Sequence, residues 1–194
     1  MLRMKAAGID AFGGEVQLLE LAAPAPPAPD EVVISVRAAG VGNWDEIVRV
    51  GGWDVGRRPP LALGVEAAGV VAAVGDDVTS LAPGDGVLTH PLPLRHQGAW
   101  AEWLVAPAAL VARKPAAVPW AAAAAFAVPA LTADQALTEA APVRRSDTAR
   151  VSSGEVRPAH LAGDYLKLRS GGRRRPTDAR NRAPDPNAGR VRSG

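Results

Sequence analysis

Up to about residue 148 the chain alternates short apolar runs with turns built from Gly, Pro and Asp. From 149 to 194 the runs vanish, and Arg, Pro, Gly and Ser take over. The run at 4–9 predicts a first strand, Phe12-Gly13-Gly14 a turn, and 16–20 a returning strand. Residues 23–29 are Pro-rich and read as extended chain, because proline fixes φ and removes a donor. The β-branched stretch Glu31–Ala39 is the clearest strand. Residues 43–50 start like a helix after Gly42, with Asp45 and Glu46 in the first turn where carboxylates suit the helix dipole, and Gly51-Gly52 ends it. Further strands are predicted over 63–74, 87–90, 97–106 and 110–115, separated by Gly75-Asp76-Asp77 and Pro83-Gly84-Asp85-Gly86. Strands punctuated by turns at short intervals predict a β-barrel or sandwich. Residues 119–137 then change period: Ala-rich, they read as a helix broken around Pro129.

Charge sharpens the boundary. Of 22 Lys/Arg and 20 Asp/Glu, residues 149–194 hold 11 and 4, which leaves 11 and 16 before them. A net of +7 thus follows a net of −5, and the pattern reads as a globular part carrying a basic tail. The chain has no Cys, which excludes disulfides, thiolate zinc sites and a Cys nucleophile. His90, His96 and His160 are its three histidines; the first two lie near turns without partners at metal spacing, and read as ordinary loop histidines. No secretory signal opens the chain and no apolar stretch is long enough to span a bilayer, so a cytoplasmic protein with no membrane partner is expected.

The segments 36–45 (Val-Arg-Ala-Ala-Gly-Val-Gly-Asn-Trp-Asp), 60–71 (Pro-Leu-Ala-Leu-Gly-Val-Glu-Ala-Ala-Gly-Val-Val), 74–78, 83–87, 98–103 and 121–137 follow one another in a telling order. In that order they resemble the catalytic domain of the medium-chain dehydrogenase/reductase family, closest to its zinc-free quinone and enoyl reductase branch. The resemblance covers residues 4–148. It implies a mainly β fold, a GroES-like, partly open β-barrel with a few short helices, over residues 1–118. Residues 119–148 would be a helical lead-in to a nucleotide-binding domain.

The resemblance also implies hydride transfer between a nicotinamide cofactor, NADPH, and a small-molecule acceptor: a quinone, enoyl or carbonyl compound. Zinc-dependent relatives carry Cys and His where this chain has Asn43 and Trp44, and His where it has Val65, so catalytic zinc is not expected. The family's four-cysteine structural zinc is excluded by the absence of Cys. Carried over by position, Asn43 lies near the nicotinamide, Thr132 beside the cofactor, and Trp44 and Trp53 at the substrate pocket. Asp45 is shared by both branches and stands with Asn43 as a catalytic candidate. Four of these have a plainer reading: Asn43 as a helix N-cap, Asp45 as a first-turn acid, Trp53 as packing, Thr132 as a partner for carbonyls freed at a helix break. Glu66 reads as a paired buried acid, and Trp100 and Trp103 as packing on barrel faces.

A dinucleotide site needs a strand, a Gly-rich turn and a helix whose first amides meet the pyrophosphate. After residue 148 the candidate strand runs into Ser152-Ser153-Gly154-Glu155-Val156-Arg157-Pro158, with one glycine and an acid at the phosphate position. A Rossmann domain is therefore expected to be absent, and this chain to be an inactive, truncated piece that does not hold NADPH tightly. The 149–194 segment reads as a disordered basic tail produced by a shifted reading frame. A genuine basic tail that binds nucleic acid is the alternative, disfavoured by one Tyr and no Trp or Phe for stacking. A stand-alone GroES-like interaction module is another. Without a second domain, the helix at 121–137 is expected to lack a docking surface and fray.

Overall fold

A computed structural model describes residues 2–140 together with the strand pairs 149–150 and 169–170. The shifted frame and the basic tail expected beyond these lie outside the described residues.

Two antiparallel sheets form the body. In the first, β1 (Arg3–Ile9) lies between β2 (Gln17–Ala22) and the short β4 (Leu61–Ala62). In the second, the order is β7-β3-β5-β6-β8, with β3 at Glu31–Ala39, β5 at Ala67–Val74, β6 at Gly86–Thr89, β7 at Trp103–Pro107 and β8 at Val111–Arg113. The bridge between Ala6 and Ala101 links the sheets locally without closing a barrel. This is the partly open, mainly β architecture expected. Val32, Ile34, Val71, Val87 and Leu104 alternate inward and fill the core of the larger sheet.

The predicted strand at 63–74 is interrupted. Leu61–Ala62 and Ala67–Val74 pair with different sheets, and the chain crosses between them through Gly64, whose φ is +88°. Only glycine takes that conformation without strain. The predicted strand at 97–106 shortens likewise: Gly98, Ala99 and Trp100 spend their amides on the carbonyls of Ala62, Gly64 and Leu63, in a loop that clasps the crossing segment.

Helix α1 spans Asn43–Arg49, and α2 (Trp120–Ala124) and α3 (Ala127–Gln135) replace the single long helix. The break falls at residues 125–126 rather than around Pro129. Pro129 sits in the first turn of α3, where a missing N–H costs little. The expectation of an undocked helix is corrected for α2: Ala123 and Ala124 are buried against Ala68, with Leu88 and Trp120 packed around them.

The histidine at 96 is not a bare loop residue. Its Nε2 lies 3.2 Å from both oxygens of the buried Glu31, and Arg95 spans Glu31 and Asp30. These contacts fasten the loop before β7 to the start of β3. In a second compact unit, from residue 135 on, Ala136–Ala140 forms a π-helical turn, and β9 (Ala149–Arg150) pairs antiparallel with β10 (Arg169–Ser170).

Candidate functional site

Three chain segments converge below the first turn of α1. Gly42, not Asn43, is the N-cap; its backbone is extended and it has no side chain to offer. Asp45 supplies what the cap lacks: its Oδ2 accepts the Gly42 N–H at 2.8 Å, while the Asp45 N–H donates to the Gly42 carbonyl at 3.1 Å. The N-cap reading of Asn43 is thereby replaced, and its side chain is exposed at the first helical position. Asp45 itself is 3% exposed, so it faces the interior rather than a ligand.

Glu66 follows the Gly64 crossing and is 2% exposed. Its Oε2 accepts the N–H of Val128 in the first turn of α3 at 2.8 Å. Its backbone carbonyl accepts the Gly40 N–H at 3.2 Å. Gly40 is packed so closely on the Glu66 side chain that a Cβ there would collide with Oε1. His90 completes the group. A carbonyl can only accept, so His90 Nδ1, 2.7 Å from the Val65 oxygen, is the donor of that bond.

Burial, more than any other cause, pushes Asp45 up to about 6; the nearby Glu66 charge adds to this, and the amides of Gly42 and Gly64 oppose it. Burial likewise raises Glu66, against the Val128 amide and the field of His90. Two buried polar atoms here have no hydrogen-bond partner: Asp45 Oδ1 and Trp44 Nε1.

Glycine geometry shapes the surroundings. The Trp44 ring lies over Gly42, close enough that a Cβ there would strike it, and packs against the cluster of Ile9, Val48, Leu63 and Val65. The structure thus places Trp44 in packing. Trp100 stacks on Gly64 and donates its indole N–H to the Gly40 carbonyl at 2.8 Å, so it anchors the site as well as the core. Trp103 packs with Met4 and Ala62, as expected of a barrel-face residue. Trp53, 37% exposed, lies in the turn after α1, and Thr132 is exposed on α3. Asn43 and Thr132 are therefore both presented outward, from helices whose first turns meet at the buried acids.

Val65 and Trp44 offer no metal-binding lone pair, the chain has no Cys, and no group of three His, Asp or Glu is placed to hold a metal among the described residues. The paired role of Glu66 was legible as an acid inside an apolar run. His90 was missed, because its contact is to a backbone carbonyl that no side-chain spacing reveals.

Residues 28–116 match the alcohol dehydrogenase GroES-like domain. The chain is 38% identical over 134 residues to the pikromycin polyketide synthase component PikAII of Streptomyces venezuelae, covering 69% of this chain and 3% of that protein. Among solved structures, the human synaptic vesicle membrane protein VAT-1 homolog-like protein superposes with a TM-score of 0.66 at 34% identity, covering 74% of this chain and 45% of that one. The quinone oxidoreductase of Escherichia coli, solved in complex with NADPH, gives 0.59 at 28% identity, covering 73% and 42%. The chain spans less than half the length of each of these proteins. Sheet order, the glycine-governed crossing and these likenesses agree: the chain carries an alcohol dehydrogenase GroES-like domain, like the one at the N-terminal part of medium-chain dehydrogenase/reductase proteins.

Proposed function

We propose that this chain supplies the acceptor-side catalytic face of a zinc-independent, NADPH-using reductase of quinone or enoyl compounds, and that by itself it holds the dinucleotide weakly. The observation that carries this reading is the meeting of α1 and α3 at the Asp45–Glu66 pair, which leaves Asn43 and Thr132 outward-facing and no zinc ligand at Val65 or Trp44. The NADPH complex of the Escherichia coli relative supports the cofactor class. Among the described residues every strand pair is antiparallel, so they hold no βαβ unit for a pyrophosphate.

NADPH supplies a hydride, and the acceptor takes it together with a proton from solvent. Asn43 offers an amide that can orient either the nicotinamide carboxamide or the acceptor carbonyl. Thr132 offers a hydroxyl from the opposite helix. Asp45, being buried, acts as a positioning residue that fixes the Gly42–Asn43 backbone. Trp53 is the exposed aromatic against which a flat acceptor can stack.

Amide chemical-shift mapping tests this. An oxidised N-methylnicotinamide and a substituted benzoquinone, added separately to the chain, are expected to shift Asn43, Val65, Trp53 and Thr132. NADPH is expected to bind no tighter than about 100 µM. Shifts confined to the outer edge of β2 would overturn the reading. Micromolar NADPH binding would overturn the claim of weak dinucleotide affinity.

A further inference from the structure

Helix α3 begins without a local cap. The residue before it is Phe126, which has no acceptor side chain, and its third residue is Pro129, which has no N–H. Ala130 returns to the ladder by donating to the Phe126 carbonyl at 2.9 Å. Val128 is left with an amide near a buried helix start, and that amide is the one Glu66 accepts. A cap normally comes from the residue beside the helix. Here it comes from a residue 62 positions earlier in the chain.

From this geometry we propose that Glu66 is the positioning residue for α3: its carboxylate is a cap supplied in trans, which locks the helix carrying Thr132 to the segment that carries Val65. Three features of the site fit that role. Gly40 clears the space that the Glu66 side chain fills. A carboxylate at a helix N-terminus is favoured by the helix dipole as well as by the hydrogen bond. The Val128 side chain then packs on the same cluster as Val65 and Trp44, so the cap and the packing fix one register. The separation of Asn43 from Thr132 is thus set through one side chain that touches neither ligand. Its functional meaning rests on the reading of this face as the nicotinamide side; its structural content does not.

The test compares the full chain with Glu66→Gln, Glu66→Ala and Gly40→Ala by amide hydrogen exchange, followed by titration with N-methylnicotinamide. Glutamine keeps a carbonyl oxygen for Val128, so Glu66→Gln should leave the protection of Val128 and Ala130 within about threefold of wild type. Glu66→Ala removes the acceptor, and Gly40→Ala displaces it; each should raise exchange at Val128 about tenfold or more, with β3 and β5 unchanged. Analogue binding should weaken in the same two variants and be retained in Glu66→Gln. Unchanged Val128 exchange in Glu66→Ala or Gly40→Ala would overturn the proposal. So would a Glu66→Gln protein whose Val128 amide exchanges about tenfold or more faster than in wild type; because glutamine is nearly isosteric, this arm stands if the alanine variants do not fold. If exchange responds as expected but no variant, wild type included, binds the analogue, the cap stands and the nicotinamide reading fails.

Discussion

Gly64→Ala is expected to destabilise the domain by about 3–5 kcal/mol, or to prevent folding. Two independent costs meet at this position. A φ of +88° lies outside the regions open to residues with a Cβ. A Cβ would also collide with the indole of Trp100, whose N–H is bonded to the Gly40 carbonyl at 2.8 Å. The ring cannot swing away without breaking that bond and releasing the loop that clasps Leu63. By contrast, Gly84, also at positive φ, has open space around it, so Gly84→Ala should carry only the backbone cost of about 1–2 kcal/mol. Urea denaturation of the two variants checks the difference; equal destabilisation would mean that the Trp100 contact contributes nothing.

The second large effect is a loss of stability as pH rises. Burial pushes the Asp45 carboxyl in the folded chain up to about 6, from its ordinary 3.8. The folded state then binds more protons than the unfolded state between those values, so unfolding free energy falls with rising pH across that window. Two units correspond to about 3 kcal/mol in full, of which about 1–2 kcal/mol falls between pH 5 and 7.5. Glu66, raised by burial, adds in the same direction. Glu46 and Asp85 are lowered by Arg49 and by Ala82 and Arg113, so their opposite contributions fall at lower pH, outside the window. Urea midpoints should drop from pH 5 to 7.5 in the wild type. In Asp45→Asn the drop should shrink by more than half. Stability that stays level or rises over this range would contradict the burial of the two acids.

Much of the fold was legible because its signals are local. The β-branched run of β3 and the acidic first turn of α1 needed no partner to be recognised, and both lie where the sequence places them. The 63–74 run was misread as one strand because Gly64 looks like any glycine in an apolar stretch. Its positive φ and its close contact with Trp100, 36 residues later, show only in the folded chain. The site was half legible for the same reason. Asp45 and Asn43 stand out beside a helix start, whereas the Glu66–Val128 bond and the His90–Val65 bond join segments 62 and 25 residues apart through backbone atoms. Pro129 was read as a breaker, yet it opens α3 because the chain had already broken at Phe126.

The most direct test of zinc-independent hydride transfer at this face bypasses the dinucleotide altogether. The chain is mixed with 1-benzyl-1,4-dihydronicotinamide and a crotonyl thioester, with and without a strong chelator, and the loss of dihydronicotinamide absorbance is followed. The chain is expected to accelerate the reaction about tenfold or more, unchanged by chelator and reduced in Asn43→Ala. No acceleration over buffer, or an acceleration that the chelator abolishes, would contradict it.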